Sequence, residues 1–305
     1  MQHITILLKN AFIEIADLLK FGNQINLGTE NPNLKNKSGD LVKKLDILSH
    51  NIIVNQIQKS YNIIGYISEE HTEVVFTNYE KTLENLDTLE YFCEEKYIIA
   101  FDPLDGSSNI DSNITTGTIF ALYKYDIEDN SLTDIVCAGY CLYGPATILV
   151  MTDNNNVNMF QLNKDIEFEF LERLDFKGND NKINRKVYSV NECHFNHFDL
   201  DTKQLILKFK EQKYNHRYIG SMVADCHRTL IQGGVFMYPG NKHKPRGKIR
   251  LLYEALPFAK IFSIANGFAY DIIKQPILEK YSNKNKISLE DIHISTPIIL
   301  SSRKL

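Results

Sequence analysis

The chain lacks the features that mark membrane proteins, secreted proteins and nucleic-acid-binding proteins. No run of apolar residues reaches the roughly 18 that a transmembrane helix needs. The residues after Met1 do not form a charged region followed by an apolar stretch, so we expect no signal peptide. The sequence has no basic block and a formal net charge of −4, which argues against nucleic acid or an anionic membrane as a partner.

Cysteine is scarce as well. The five cysteines are scattered and none forms a Cys-x-x-Cys pair, so we expect neither a disulfide framework nor a zinc site. This pattern favours the reducing cytoplasm. Hydrophobic residues make up 43% and charged residues 24% of the 305 residues, an ordinary globular composition with room for one large or two ordinary domains.

One segment concentrates chemically useful side chains. An apolar run at 97–100, typical of a buried strand, leads into Phe101-Asp102-Pro103-Leu104-Asp105-Gly106-Ser107-Ser108. The proline predicts that the strand ends there and turns, which lets the two aspartates converge on one point. Carboxylates suit hard divalent cations, and glycine followed by serines offers donors for a phosphate. An Asx-turn followed by a helix cap is the simpler alternative, but it leaves Asp102 without a role.

A second predicted strand, at 63–67, also ends in acids, since Ser68, Glu69 and Glu70 follow it. If the two strands are neighbours, four carboxylates surround one volume, where they would repel one another unless cations lie between them. Taken alone, the glutamate pair would be interpreted as part of an exposed loop. Beside the aspartate segment, we favour metal ligation.

The other elements are predicted from hydrophobic periodicity and turn residues. We expect an amphipathic first helix at 4–19, a loop at 23–37, a second helix capped by Ser38, and a surface excursion with a short helix at 71–96. Further strands are expected at 118–125, 136–143, 147–151, 157–162, 167–171, 187–190 and 234–237, and further helices at 202–213, 222–232 and 251–266. A polar segment at 177–181 marks a boundary between an N-terminal metal-binding α/β domain (1–179) and a C-terminal substrate-binding α/β domain (180–305).

Two basic clusters lie in the second domain. The first, Arg217-Tyr218-Ile219-Gly220-Ser221-Met222, opens a predicted helix, and the second contains Lys248 and Arg250. Tyrosines lie near both clusters, a setting suited to binding a sugar phosphate. Glu254 follows Arg250 by four residues, so the two can share one helix face.

With these segments in view, the chain resembles the metal-dependent, lithium-sensitive phosphatase superfamily, and within it the class I fructose-1,6-bisphosphatases. The motifs that carry the resemblance are residues 102–108, 39–46, 218–225, 238–239 and 248–254, and it runs from about Gly39 to Leu300. It implies an α/β fold layered α-β-α-β-α and a homotetramer. It also implies Mg²⁺-dependent hydrolysis of the 1-phosphate of fructose 1,6-bisphosphate in gluconeogenesis, with Mn²⁺ as a second candidate cation.

The resemblance also implies roles for individual residues. The metal ligands are Glu69, Glu70, Asp102, the carbonyl of Leu104, Asp105 and Glu254. The catalytic carboxylates are Asp46 and Glu70, which act on the attacking water, and Asp40 in a mobile loop. The 1-phosphate site comprises the amides of Gly106 and Ser107, near Arg250, and the further substrate-binding residues are Ser108, Gly220, Ser221 and Met222. The 6-phosphate site comprises Asn191, Tyr218, Tyr238, Lys248 and, from a neighbouring subunit, Arg217.

The sequence departs from the family pattern in several places. His194 stands where a 6-phosphate-binding tyrosine is usual, and Leu41 replaces a usual glutamine. Lys96 and Tyr97 match the AMP site of animal enzymes, but Lys124 replaces an expected arginine, and the chain begins close to its first helix. We therefore expect no classical AMP inhibition.

Alternative functions remain open at this point. Sedoheptulose 1,7-bisphosphate presents similar phosphate ends, so it is an alternative or additional substrate. An inositol phosphate is less suitable, because it gives no use for Arg217, Tyr218 and Lys248. A non-catalytic sugar-phosphate sensor would predict a broken metal set, whereas every carboxylate of the set is present.

Overall fold

Helices and strands both occur in the N-terminal and C-terminal parts of the computed structural model, which describes residues 1–20, 30–35, 41–77, 95–153, 155–271, 275–281 and 286–305. The α-helices are α1 Gln2–Lys20, α2 Lys44–Ile57, α3 Asp180–Ile183, α4 Leu200–Glu211, α5 Met222–Gln232, α6 Leu256–Ile264 and α7 Ile277–Lys280. Two 3₁₀-helices span Ser107–Ser112 and Glu192–His197, and a π-helix spans Leu251–Ala255. The strands are β1 Glu30–Lys35, β2 Leu41–Lys43, β3 Ile63–Ser68, β4 Val75–Phe76, β5 Tyr97–Asp105, β6 Thr116–Asp126, β7 Ser131–Tyr143, β8 Thr147–Thr152, β9 Val157–Leu162, β10 Phe168–Leu174, β11 Val187–Ser189, β12 Asn215–His216, β13 Val235–Tyr238, β14 Phe268–Tyr270, β15 Ile287–Ser288 and β16 Ile298–Ser301.

Within the described residues, the strands form two main sheets. The larger has nine strands in the order β10-β9-β8-β7-β6-β5-β3-β4, with β15 paired to β7, and the smaller has five in the order β12-β11-β13-β16-β14. In the larger sheet β3 and β5 are parallel neighbours, and Ser68 lies opposite Phe101. Because neighbouring parallel strands end at the same edge, the residues after Ser68 and those after Phe101 meet there.

Helices separate and flank the two sheets in five layers, α-β-α-β-α, as the resemblance implies. Helices α1 and α2 pack on the outer face of the larger sheet through a core that includes Phe12 and Phe120. Helices α5 and α6 fill the space between the sheets, where Phe258 belongs to the same core as Phe236 of the smaller sheet. Helix α4 covers the far face of the smaller sheet. None of the helices in the described part of the chain has both the length and the apolarity to span a bilayer.

The predicted start of the second helix is wrong. The helix begins at Lys44, and the residues before it form β2, which pairs antiparallel with β1 inside the segment expected to be a loop. Leu41 fits the helical spacing of Leu45, Leu48 and Ile52, so periodicity alone extends the helix too far. A pairing partner upstream in the chain overrides that local pattern. Of the predicted excursion at 71–96, the described residues include the short strand β4, and 78–94 lie outside them.

The predicted end of the central strand is also wrong. Strand β5 continues through Pro103 to Asp105 rather than turning at the proline. Asp102 lies opposite Ile119 and Asp105 opposite Gly117, so β5 carries one extra residue and forms a β-bulge. A bulge tolerates a proline because the extra residue need not donate to the ladder.

Candidate active site

Three buried carboxylates converge where β5 ends. Asp102 and Asp105 come from the bulge of β5, and Glu254 comes from the π-helix that precedes α6. Among the described residues, these three form the acidic group whose ligand oxygens all lie within 4.8 Å of one another. The sequence predicted all three as metal ligands, and the structure brings them together.

The electrostatics of this triad are those of crowded negative charge. Burial, followed by repulsion from Glu69, Asp105 and Glu254, raises the pKa of Asp102 well above its usual range. Burial also raises the pKa of Asp105 to about 6 and that of Glu254 well above normal, although the Arg250 backbone N–H donates to Glu254 Oε2 at 2.5 Å. An all-oxygen donor set with excess negative charge fits a hard divalent cation. The residues present therefore suit the metal that the resemblance implies.

Glu69 and Glu70 border the triad from the turn after β3. The Glu69 N–H donates to the Phe101 carbonyl at 3.3 Å, and its carboxylate is near enough to raise the pKa values of Asp102 and Glu254. Burial, then the charges of Asp46 and Glu69, raise the pKa of Glu70 to about 8. Asp46 is buried in the first turn of α2, and two of the three predicted catalytic carboxylates, Asp46 and Glu70, are close enough for their charges to interact. The third, Asp40, lies outside the described residues.

Two predicted substrate-binding residues, Gly106 and Ser221, come close together at the start of α5. Gly106 adopts a left-handed φ of 78° and precedes the 3₁₀-helix that contains Ser107 and Ser108. Its backbone lies so close to Ser221 that an added Cβ would be 2.9 Å from the serine Cβ and Oγ. Asp105 Oδ2 accepts hydrogen bonds from the Ser221 hydroxyl at 3.1 Å and from the Val223 N–H at 2.8 Å. One aspartate thus belongs to the carboxylate triad and also fixes the N-terminal end of α5.

A positioning residue that the sequence did not single out is Asp225, which is fully buried. Its carboxylate accepts from the N–H groups of Ile219 and Gly220 at 3.0–3.1 Å and from the Ser189 hydroxyl at 2.9 Å. It also pairs with Arg228 at 2.7 Å. These contacts hold the segment that carries the first basic cluster against the smaller sheet. An aspartate three residues before an arginine, just inside a predicted helix, was the available signal.

Residues predicted to bind the 6-phosphate line a second cavity. Asn191, Tyr238 and Lys248 surround a volume of about 360 Å³. His194 lines the same cavity, in the place expected for the substituted tyrosine. Tyr218 lies next to Asn191, whose side-chain hydrogen bond partly offsets the burial that raises the tyrosine pKa.

The remaining two cationic residues lie elsewhere. Arg217 is exposed, and its Nη1 donates to the His216 carbonyl at 3.2 Å. Arg250 directs Nη1 to the His293 carbonyl at 2.7 Å and to the Ser295 hydroxyl at 3.1 Å. Arg250 and Glu254 were expected to share one helix face, but Arg250 precedes the π-helix as its N-cap and contacts Glu254 through its backbone N–H. The helix predicted at 251–266 begins as a π-helix.

The raised pKa of Glu70 makes the cation-free protein sensitive to pH. Its pKa is about 8 in the fold and 4.5 ordinarily, so the folded state holds a proton that the unfolded chain has lost, and stability falls as pH rises between these values. His50 and His227, whose pKa values burial lowers to about 4, oppose this trend at lower pH, where the unfolded histidines take up protons. In EDTA, we therefore expect the unfolding temperature to fall as the pH rises from about 6.5 to 8. Mg²⁺ should reverse the loss, as thermal unfolding followed by circular dichroism will show.

The matched control is Glu70→Gln, which should reduce the slope in EDTA because the amide carries no charge at any pH. An unfolding temperature that stays constant across this range in EDTA would contradict the assignment of crowded carboxylates.

Two family models and several known proteins match the chain. A family model described as "Fructose-1-6-bisphosphatase, N-terminal domain" matches residues 25–172, and one described as "Fructose-1-6-bisphosphatase, C-terminal domain" matches residues 182–304. The chain is 40% identical over 284 residues to fructose-1,6-bisphosphatase isozyme 2 of Mus musculus, covering 88% of this chain and 76% of the relative. It is 39% identical over 275 residues to a class 1 enzyme of Sulfurihydrogenibium sp., covering 88% of this chain and 78% of that one. The crystal structure of Leishmania major fructose-1,6-bisphosphatase in holo form superposes with a TM-score of 0.83 at 31% identity, covering 99% of this chain and 90% of that one.

Proposed function

Because the chain belongs to the fructose-1,6-bisphosphatase family and is a phosphoric monoester hydrolase, we propose that it uses Mg²⁺ to hydrolyse the 1-phosphate of fructose 1,6-bisphosphate. The observation that carries the proposal is the convergence of three buried carboxylates, Asp102, Asp105 and Glu254, beside the left-handed turn at Gly106. A cation site next to backbone donors is what a phosphate monoester requires.

The family resemblance and the carboxylate triad together suggest a role for each residue. The triad, with Glu69, Glu70 and the Leu104 carbonyl, would hold the cations. Bound Mg²⁺ would supply positive charge that stabilises the developing phosphate charge and lowers the pKa of the attacking water. Gly106 and Ser107 would hold the 1-phosphate with their N–H groups, and Ser108, Gly220, Ser221 and Met222 would complete that wall. Asp46 or Glu70 would orient the water and accept its proton.

The cavity lined by Asn191, His194, Tyr238 and Lys248 would take the 6-phosphate. We expect Lys248→Met to raise KM for fructose 1,6-bisphosphate by roughly 10–100-fold, because a hydrogen bond to a charged group contributes about 1.5–3 kcal/mol. The kcat should change little, since the distal phosphate is bound equally in the ground and transition states. Steady-state kinetics at saturating Mg²⁺ measure both. Lys164→Met, at an exposed position on the turn between β9 and β10, is the control and should match the parent enzyme.

The choice of substrate separates the remaining candidates. Fructose 1-phosphate lacks the distal phosphate, so its KM should be high. This KM should be the same in the parent enzyme and in Lys248→Met. Equal KM values for fructose 1,6-bisphosphate in the parent and Lys248→Met would remove this cavity from the substrate site. A higher kcat/KM for sedoheptulose 1,7-bisphosphate would favour that alternative, and binding without turnover would favour a sensor.

Classical AMP inhibition should be absent. Tyr97 and Lys124, which align with the nucleotide site of animal enzymes, line a cavity of about 480 Å³ together with Glu95. The Tyr97 hydroxyl donates to Glu95 at 2.7 Å, and Lys124 forms an ion pair with the same carboxylate. A nucleotide phosphate would have to displace this carboxylate and then lie beside its charge. Phosphate-release assays should show no inhibition by AMP, and strong inhibition would overturn this part of the proposal.

A homotetramer would complete the distal site. Arg217 is exposed, its backbone N–H is held by the Tyr188 carbonyl at 2.9 Å, and its carbonyl accepts from Arg228 at 3.1 Å. This anchoring leaves the guanidinium on the surface, where it could reach the 6-phosphate of a neighbouring subunit. Arg217→Ala should therefore raise KM for fructose 1,6-bisphosphate in the assembled enzyme. If the chain is monomeric and Arg217→Ala leaves KM unchanged, the proposed contribution across a subunit interface is wrong.

A further inference from the structure

A buried histidine outside the predicted site, His293, connects the turn that carries Glu69 and Glu70 to the π-helix that carries Glu254. His293 is 5% exposed and belongs to a short segment that runs beside the start of the π-helix. Arg250 and Ser295 form an antiparallel bridge there, and the Leu251 N–H donates to the Ile294 carbonyl at 2.8 Å. The imidazole is thereby held beside the segment that supplies Glu254.

The imidazole uses both of its nitrogens. Nε2 lies 2.7 Å from the His71 carbonyl oxygen, and Nδ1 lies 2.8 Å from the Tyr253 hydroxyl. A carbonyl only accepts hydrogen bonds, so Nε2 must carry the proton, and in the neutral ring Nδ1 accepts from the tyrosine. The directions of both hydrogen bonds, and with them the ring orientation, are therefore fixed.

Each partner of this imidazole adjoins a predicted metal ligand. His71 directly follows Glu70 and closes the turn after β3, because its N–H donates to the Ser68 carbonyl at 3.2 Å. Tyr253 directly precedes Glu254, and the His293 carbonyl also accepts from Arg250 at 2.7 Å. One residue thus links the glutamate turn of the larger sheet to the π-helix that supplies Glu254.

We propose that His293 is a positioning residue that, through Tyr253 and the His71 carbonyl, fixes the spacing between the glutamate turn and Glu254 and so sets the affinity for the divalent cation. This rests on the proposed function, because it assumes that these carboxylates hold the cation. Partners that orient metal ligands typically contribute 10–100-fold to metal affinity or activity.

A second buried tyrosine, Tyr140, forms a pair with His227 that provides a matched comparison. The Tyr140 hydroxyl lies 2.8 Å from His227 Nδ1, with ring centroids 5.7 Å apart and an interplanar angle of 78°. For Tyr253 and His293 the corresponding ring values are 5.9 Å and 75°, and both tyrosines are fully buried. Glu69 and Glu254 raise the pKa of Tyr253, in addition to burial, whereas no carboxylate contributes to the raised pKa of Tyr140. Removing either hydroxyl costs the fold one similar hydrogen bond, but only one of them borders the site.

The test compares Tyr253→Phe with Tyr140→Phe in the 305-residue chain. Mn²⁺ binding to the cation-free protein, followed by electron paramagnetic resonance of the free ion, gives affinity without relying on turnover. We expect both variants to lower the unfolding temperature by a similar amount, and Tyr253→Phe alone to weaken Mn²⁺ binding by roughly 10-fold or more. The concentration of Mn²⁺ that half-activates the enzyme should rise by the same factor, with KM for substrate unchanged at saturating Mn²⁺.

A second comparison uses the histidine itself. His293→Gln keeps an N–H that can donate to the His71 carbonyl, so it should bind Mn²⁺ more tightly than His293→Leu. Equal Mn²⁺ affinity in Tyr253→Phe and Tyr140→Phe would overturn the positioning role and leave the proposed function standing. A parent protein that binds no Mn²⁺ would overturn the cation site itself, and the positioning role with it.

Discussion

Asp105→Asn should reduce kcat for fructose 1,6-bisphosphate by at least about 10²–10³-fold, the cost typical of losing one electrostatic stabiliser. The substitution removes one of three buried charges whose oxygens lie within 4.8 Å of one another. In the parent protein the Val223 N–H donates to Asp105 Oδ2 at 2.8 Å, and the amide oxygen of the variant can still accept this hydrogen bond. The start of α5 is therefore retained. In EDTA, the unfolding temperature should therefore not fall, since an uncompensated buried charge has been removed. Kinetics with Mg²⁺ titrated, together with circular dichroism, measure both effects.

Asp175→Asn is the matched control for that experiment. Asp175 also accepts a backbone N–H, from Lys177 at 2.8 Å, and a side-chain donor, from Asn266 at 2.9 Å, but it lies on an exposed turn away from the triad. It should keep the parent kcat. Near-normal turnover and normal Mg²⁺ dependence in Asp105→Asn would show that the site has been misassigned.

Gly106→Ala should cost about 100-fold in kcat, the effect of misplacing reacting groups by about 1 Å. Two costs combine at this position. A non-glycine residue at a φ of 78° is strained by roughly 1–2 kcal/mol, and the new Cβ would lie 2.9 Å from the Cβ and Oγ of Ser221. Ser221 would have to move, which breaks its hydrogen bond to Asp105 and shifts the N–H groups proposed to hold the 1-phosphate. Steady-state kinetics and thermal unfolding of the same preparation separate the two costs.

Gly178→Ala isolates the conformational cost. Gly178 has a φ of 73°, and a Cβ added there would have no atom within 4 Å. The backbone strain should lower the free energy of unfolding of Gly178→Ala by an amount similar to that in Gly106→Ala. The kcat of Gly178→Ala should equal that of the parent enzyme. If the two alanine variants had the same kcat, close approach of Gly106 to Ser221 would not matter for catalysis.

Local chemistry made the centre of the site predictable. Aspartates three residues apart, a glycine and two serines after an apolar run are unusual enough to indicate a cation and phosphate site before any fold is known. The pairing of β3 with β5 then brings Glu69 beside Asp102, as expected if the two acid-ended strands are neighbours. The family resemblance, rather than spacing, placed Glu254 with them, because nothing local relates that glutamate to the β5 bulge.

Features that depend on long-range pairing were not predictable. Pro103 on its own indicated the end of a strand. The bulge that accommodates this proline is visible only from the register of β5 with β6, which the local sequence does not show. The helical spacing of Leu41 hid the pairing of β2 with β1. His293 carries no motif at all, and its contacts join residues 40 and 222 positions away in the chain. A sequence pattern records local periodicity, whereas these contacts arise only when distant elements pack.

The most direct test of the proposed function is phosphate release from fructose 1,6-bisphosphate, measured first with Mg²⁺ and then with EDTA, with the sugar product identified. We expect turnover to fructose 6-phosphate with Mg²⁺ and its loss in EDTA, restored when the cation is returned. Release that is insensitive to EDTA would contradict the role of the carboxylate triad. No release with either Mg²⁺ or Mn²⁺ would contradict the proposed reaction.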